Sequence, residues 1–130
     1  MRPRILLIED NLNNRYLARY LLERAGFEVE SAGNGAEGLA RARAARFDLV
    51  VLDIQMPEMD GYETAVALRS DPASSTVPIV GVSSFAMAGD RQKALSLGFA
   101  GYIEKPIDPT TFAEQIRGYL SAAGGPSCAS

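Results

Sequence analysis

The sequence contains no histidine. That absence removes histidine general bases, Ser-His-Asp triads and histidine-rich zinc sites. Any bound metal must be held by oxygens, which points to Mg²⁺, Mn²⁺ or Ca²⁺. Cysteine is nearly absent: Cys128 stands alone in a small, polar C-terminal segment, so no internal disulfide forms. Basic residues are in deficit, 13 against 16 acidic, and the net charge of -3 argues against a nucleic-acid surface. No apolar run approaches the length of a membrane span. The run after Met1-Arg2-Pro3-Arg4 is too short for a signal peptide, and no cleavage site follows. These absences predict a cytoplasmic protein with no direct nucleic-acid or membrane partner.

What is present fills one domain. A chain of 130 residues buries a real core. Its organising stretch is Leu49-Val50-Val51-Leu52-Asp53-Ile54-Gln55-Met56-Pro57. Four consecutive apolar residues read as a strand buried on both faces. The strand stops at Asp53, and Pro57 prevents further regular pairing. A carboxylate at that place is costly unless something pairs with it.

The remaining chain repeats one pattern. Ile5-Leu6-Leu7-Ile8 is a second buried strand and ends in Glu9-Asp10. Asn11 or Asn13 then caps a helix in which Leu17, Leu21 and Ala25 recur at four-residue spacing beside Ala18 and Leu22. Gly26 stops it. Residues 27–32 alternate as an edge strand. Ala36–Arg46 is alanine-rich and helical, with Leu39, Ala40 and Arg43 on one face. Met59-Asp60-Gly61 opens a helix over 62–69, with Asp60 as its cap. Pro78–Val82 is a third buried strand, ending in Ser83-Ser84. A helix from about 86 to 97 precedes a short strand, Gly101–Glu104, which ends in Lys105-Pro106. Asp108-Pro109 marks a helix start, with Asp at the N-cap, and Phe112, Ile116, Tyr119 and Leu120 form the buried stripe. Residues 1–122 form the domain, and the small, polar residues 123–130 read as a disordered tail or linker stub.

Five β-α repeats give an α/β fold with a parallel sheet and helices on both faces. In such a sheet the strand C-termini share one edge, where ligands bind. That edge collects Glu9 and Asp10, Asp53, Ser83 and Lys105, and four strands delivering polar groups to one crevice make a site. The carboxylates repel: two unit charges about 4 Å apart cost roughly 4 kcal/mol at an effective dielectric near 20. Lys105 offsets one charge and a divalent cation the rest. Asp10, Asp53 and the backbone carbonyl of Gln55 are placed to bind it directly, with Glu9 acting through a water. Asp53 is then a carboxylate nucleophile, and the metal, Lys105 and the Ser83 hydroxyl stabilise the oxygens of a transferring phosphoryl group.

Glu9-Asp10, the Leu-Asp-Ile-Gln-Met-Pro block with Gly61, Ser83 and Lys105-Pro106 together resemble the receiver domain of two-component response regulators, from about Arg4 to Leu120. The resemblance implies a doubly wound, flavodoxin-like and CheY-like (βα)5 sandwich with strand order 2-1-3-4-5. It implies Asp53 as phosphoacceptor, Mg²⁺ or Mn²⁺ as cofactor, and a phosphohistidine donor on a sensor histidine kinase or histidine phosphotransfer protein. It implies a signalling domain that assists its own phosphorylation and dephosphorylation rather than an enzyme. Tyr102 falls at the family's switch aromatic: Ser83, drawn inward, opens space into which the ring turns from solvent. A downstream protein then reads the face of the fourth helix, fifth strand and fifth helix.

Two positions depart from the pattern. Ser83 stands where the family often has Thr, and Ser84 where it usually has Ala, so an extra oxygen narrows access to the site. Gln55 and Phe85 occupy variable flanking positions that tune the lifetime of the phosphate. An Asp-nucleophile phosphatase of the haloacid-dehalogenase type needs a second Asp where this chain has Gln55. A flavodoxin-like nucleotide binder needs a Gly/Ser/Thr-rich loop where this chain has Glu9-Asp10. A pseudo-receiver lacks a site residue, and none is missing here. A stand-alone regulator and a receiver excised from a hybrid kinase both remain open.

Overall fold

The computed structural model describes residues 2–56, 59–84 and 88–129. The elements are β1 Arg4–Ile8, α1 Leu12–Arg24, β2 Glu28–Ala32, α2 Gly35–Ala44, β3 Leu49–Asp53, α3 Gly61–Ser70, β4 Ile79–Ser83, α4 Ala88–Ser96, β5 Gly101–Glu104 and α5 Phe112–Ala129. The sheet order is β2-β1-β3-β4-β5, and every pairing is parallel. The expected 2-1-3-4-5 fold is therefore present, with the alternating strand at one edge and the short one at the other.

Side-chain alternation on the central strands builds two cores. Leu6, Ile8, Val50, Leu52 and Ile79 face a layer that includes Ala42 of α2, Leu68 of α3 and Ala94 of α4. Ile5, Leu7, Leu49, Val51, Val80 and Val82 face Ala18 and Leu22 of α1 and Phe112 and Ile116 of α5. This is why β1, β3 and β4 are continuous apolar runs: both faces are covered.

The helices begin where local chemistry says they should. Asn11 caps α1, its side chain accepting from Asn14 N–H at 2.9 Å, and Gly26 ends the helix region at φ 101°. Asp60 and Glu63 form a reciprocal capping box on α3, with bonds of 2.9 and 3.0 Å. Asp108 caps a turn rather than the helix itself. Its carboxylate accepts from Thr110 N–H at 2.9 Å and its carbonyl accepts from both Thr111 and Phe112 N–H, so regular helix starts only at Phe112.

Three expectations need correction. Leu17 is half-exposed rather than core, because it lines the cleft beside the site while Ala18 and Leu22 face the sheet. On α2 the buried residues are Gly35, Gly38 and Ala42, with Leu39 partly buried; Ala40 and Arg43 are exposed. A Cβ on Gly38 would collide with Ile8, so the close approach of α2 to β1 selects glycine there. Finally, α5 continues to Ala129 across the segment whose composition predicts a tail.

Candidate functional site

The site is assembled by register. Ile8 lies opposite Leu52, so Glu9 follows one strand at the level where Asp53 ends the next. Asp53 pairs with Val82, which puts Ser83 one step further along, and Ser83 pairs with Glu104, immediately before Lys105. Backbone bonds extend the ladder through these residues: Glu9 N–H to Ala32 carbonyl at 3.0 Å and Lys105 N–H to Ser83 carbonyl at 2.8 Å. Gly61 secures the other side of Asp53. A Cβ there would stand 2.5 Å from Ile54 Cα and 2.6 Å from the Asp53 carbonyl oxygen, so α3 can pack this closely only with glycine.

Glu9, Asp53 and Ser83 are buried, with exposures of 5%, 2% and 1%, while Asp10 is exposed. Lys105 Nζ lies 3.2 Å from Glu9 Oε1 and 3.1 Å from Asp53 Oδ1. Asn11 N–H donates to Glu9 Oε2 at 3.2 Å, and the Arg15 guanidinium donates to the Glu9 carbonyl at 3.0 Å. Gln55 N–H donates to Asp53 Oδ1 at 3.2 Å. One Asp53 oxygen is thus held twice. The other, Oδ2, is buried and has no hydrogen-bond partner among the described residues.

The electrostatics follow from this crowding. Burial, then the neighbouring Glu9 carboxylate, push the Asp53 carboxyl up to about 7, with Lys105 opposing. Burial alone would lower the Lys105 ammonium, but Asp53 and Glu9 hold it above its ordinary value. Glu9, Asp10 and Asp53 each offer an oxygen within 4.8 Å of the others. Three carboxylates against one lysine leave a surplus of two negative charges. That surplus, on three carboxylates gathered so closely, suits a hard divalent cation with oxygen ligands.

Beside Asp53 and Lys105 a cleft of about 80 Å³ opens between α1 and the β5-α5 connection, bounded by Asn14, Leu17, Pro106, Ile107 and Phe112.

The structure thus brings together Glu9, Asp10, Asp53, Ser83 and Lys105, as the sequence predicts. It separates Glu9 from Asp10 by burial, which the adjacent letters do not reveal. Tyr102 is 6% exposed, within the core cluster that includes Ala94 and Phe99. Its ring therefore starts inside rather than in solvent; it lies opposite Gly81 of β4. Pro57 and Phe85 lie outside the described residues. Sequence reasoning missed Asn11 and Arg15 as supports of Glu9, and missed the Gln55 side chain, whose Oε1 accepts from Ser84 N–H at 3.0 Å. The helix-cap signature could have flagged Asn11; a bond across 29 residues has no local signal.

Known proteins match this arrangement. Residues 5–117 match the response regulator receiver domain family. The polar-differentiation response regulator DivK of Brucella anthropi is 39% identical over 123 residues, covering 95% of this chain and all of that protein. The chemotaxis protein CheY4 of Vibrio cholerae is 30% identical, with a TM-score of 0.87 over 92% of this chain and 99% of that one. The receiver domain of a sensor histidine kinase from Pseudomonas aeruginosa is 26% identical, with a TM-score of 0.83 over 93% of this chain and 99% of that one; its structure holds a magnesium ion in the active-site cleft. The chain belongs to the receiver-domain family of two-component response regulators, a family of signalling domains. No helix among the described residues is long and apolar enough to cross a membrane.

Proposed function

We propose that the chain accepts a phosphoryl group on Asp53 from a phosphohistidine of a sensor kinase or histidine phosphotransfer protein, in the cytoplasm. The observation that carries this is the divided state of the Asp53 carboxylate. Oδ1 is fixed by Lys105 and Gln55, while Oδ2 is buried and without a partner among the described residues. In the reaction Oδ2 bonds to phosphorus as the phosphorus–nitrogen bond breaks. The electron pair returns to the donor imidazole, which takes up a proton. Lys105 Nζ stays beside the developing charge, and the Ser83 hydroxyl would donate to a phosphoryl oxygen. Asp10, Asp53 and the Gln55 carbonyl would hold Mg²⁺ or Mn²⁺, with Glu9 paired to Lys105 behind them. That ion would supply charge neutralisation to the phosphoryl oxygens. The Pseudomonas receiver, with magnesium in its cleft, supports this assignment.

Residues 1–122 form the receiver unit in this reading. Its output is a change in protein contact on the face built by α4, β5 and α5. Tyr102, on β5 next to that face and across from Gly81, links it to Ser83. Asp53→Asn removes the nucleophile. We expect no label from acetyl phosphate or a phosphorylated kinase on that variant; undiminished acid-stable, base-labile label on it would sink the assignment.

A further inference from the structure

Asp10 is the exposed member of the carboxylate cluster, yet it offers an oxygen within 4.8 Å of those of Glu9 and Asp53. No hydrogen bond or ion pair among the described residues holds its carboxylate. It also lies beyond the strand ladder, whose rung here runs from Glu9 N–H to Ala32 carbonyl at 3.0 Å. Its place is therefore set by the backbone on either side of it. Arg15 grips that backbone twice. Its guanidinium donates from Nη1 to the Glu9 carbonyl at 3.0 Å, and its backbone N–H donates to the Asn11 carbonyl at 2.9 Å. The Glu9 carbonyl and the Asp10 N–H share one rigid peptide plane. Fixing that carbonyl fixes the direction in which Asp10 leaves β1. Any residue but proline could make the backbone bond; the bond to Glu9 needs a long side-chain donor.

The turn after β2 leaves room for that guanidinium. A Cβ on Gly33 would stand 2.9 Å from Arg15 Nη1, so a side chain there would press on the group that holds Glu9. The Gly33 N–H donates to Glu37 Oε1 at 2.9 Å, which fixes this turn at the start of α2. Arg15 itself is half-buried. Its positive charge would repel a divalent ion bound by Asp10 and Asp53. Through charge alone Arg15 would weaken such a site; through the Glu9 carbonyl it builds one. The two effects have opposite signs, which separates them.

We propose that Arg15 is a positioning residue for the cation site: by holding the Glu9 carbonyl, it sets Asp10 against Glu9 and Asp53. The inference rests on the reading above in which Asp10 and Asp53 hold Mg²⁺. Arg15 touches neither the ion nor the phosphoryl group in it, and acts only through the peptide between Glu9 and Asp10.

Two variants test it. Arg15→Met keeps an unbranched side chain and removes both the donors and the charge. Gly33→Ala keeps the charge and crowds Nη1 away from Glu9. Mg²⁺ is titrated on wild type and both variants, followed by amide resonances, and metal-free melts check the fold. Both variants should bind Mg²⁺ about threefold to tenfold more weakly, the worth of the hydrogen bond they disturb. In metal-free protein the Asp10 amide resonance, which reports on the same peptide plane, should shift in both. Equal or tighter Mg²⁺ binding in either variant overturns the proposal; tighter binding in Arg15→Met would make Arg15 a repelling charge and nothing more. Should Arg15→Met fail to fold, Gly33→Ala decides. A wild type that binds no Mg²⁺ overturns the cation reading. The Asp10 resonance then still decides whether Arg15 sets that peptide, and one that does not move overturns the positioning role.

Discussion

The two ends of the sheet treat charge in opposite ways. At the N-terminal edge and along β2, Arg4 bridges Glu28 at 3.0 Å and Glu30 at 2.6 Å, and Arg41 bridges Glu30 and Glu37 at 3.2 and 3.3 Å. Arg4 also receives structure from its own backbone, whose N–H donates to Asp48 at 2.7 Å. All these side chains are about a third or more exposed, and each acid has a basic partner. Water screens them, and each pair contributes little. At the C-terminal edge Lys105 is the one cation bridged to Glu9 and Asp53 among the described residues, and both acids are buried. There the charge is unbalanced and one carboxylate oxygen has no partner among the described residues. Balanced, wet charge on the edge strand keeps that strand soluble. Unbalanced, dry charge at the strand ends is what the proposed function would use to bind a cation and a phosphoryl group.

Breaking the dry cluster should have the largest effect. Lys105→Met removes its cation and leaves two buried carboxylates facing each other. In metal-free buffer the variant should lose about 3 kcal/mol of unfolding free energy, as for a buried pair missing one partner. The loss should be greater near about pH 8 than about pH 5, because at lower pH the carboxylates escape by protonation. Chemical denaturation at the two pH values checks both parts; an equal, small loss at both would mean that the cluster is not frustrated.

Asp53→Asn relieves the same repulsion and should stabilise the metal-free protein by about 1–3 kcal/mol. The sign follows from the raised value of about 7 against an ordinary 3.8. Across that window the unfolded chain has released a proton that the folded site retains. This group's contribution therefore favours folding at the low end and fades as pH rises through about 7. Wild type should lose stability relative to Asp53→Asn over that interval, and pH-dependent melts of the pair would reveal parallel curves if the site were not strained.

The wet cluster sharpens the contrast at the small end. Glu30→Gln breaks the bridges to Arg4 and Arg41, yet should cost no more than about 1 kcal/mol, with the difference shrinking in high salt. Denaturation at low and high ionic strength tests this; a salt-insensitive loss as large as that of Lys105→Met would erase the distinction between the two ends.

Much of this contrast was legible in the letters. Continuous apolar runs ending in Asp53, Ser83 and Glu9-Asp10 gave the strands and the edge on which they converge, because burial on both faces leaves no alternation to misread. Helix faces were harder. On α2 the buried positions are glycines and an alanine, and Ala40 and Arg43 share the apparent stripe only in a count of spacing. Tyr102 lies opposite Gly81 across the strand, a pairing that no local window contains. The same holds for the bond between Gln55 and Ser84. Contacts set by register between distant segments become visible only once the sheet exists.

The most direct test of the central claim is a thermal melt of wild type and Asp53→Asn with and without saturating Mg²⁺. A cation that binds only the folded site stabilises by about 2.7 kcal/mol at a hundred times its dissociation constant. For a domain of this size that corresponds to a rise of roughly 5–15 °C in wild type. A smaller rise is expected in Asp53→Asn, which has lost one charged ligand. A wild-type midpoint that does not move, or that moves no more than the variant's, would contradict the claim that the buried carboxylates are arranged to hold a cation.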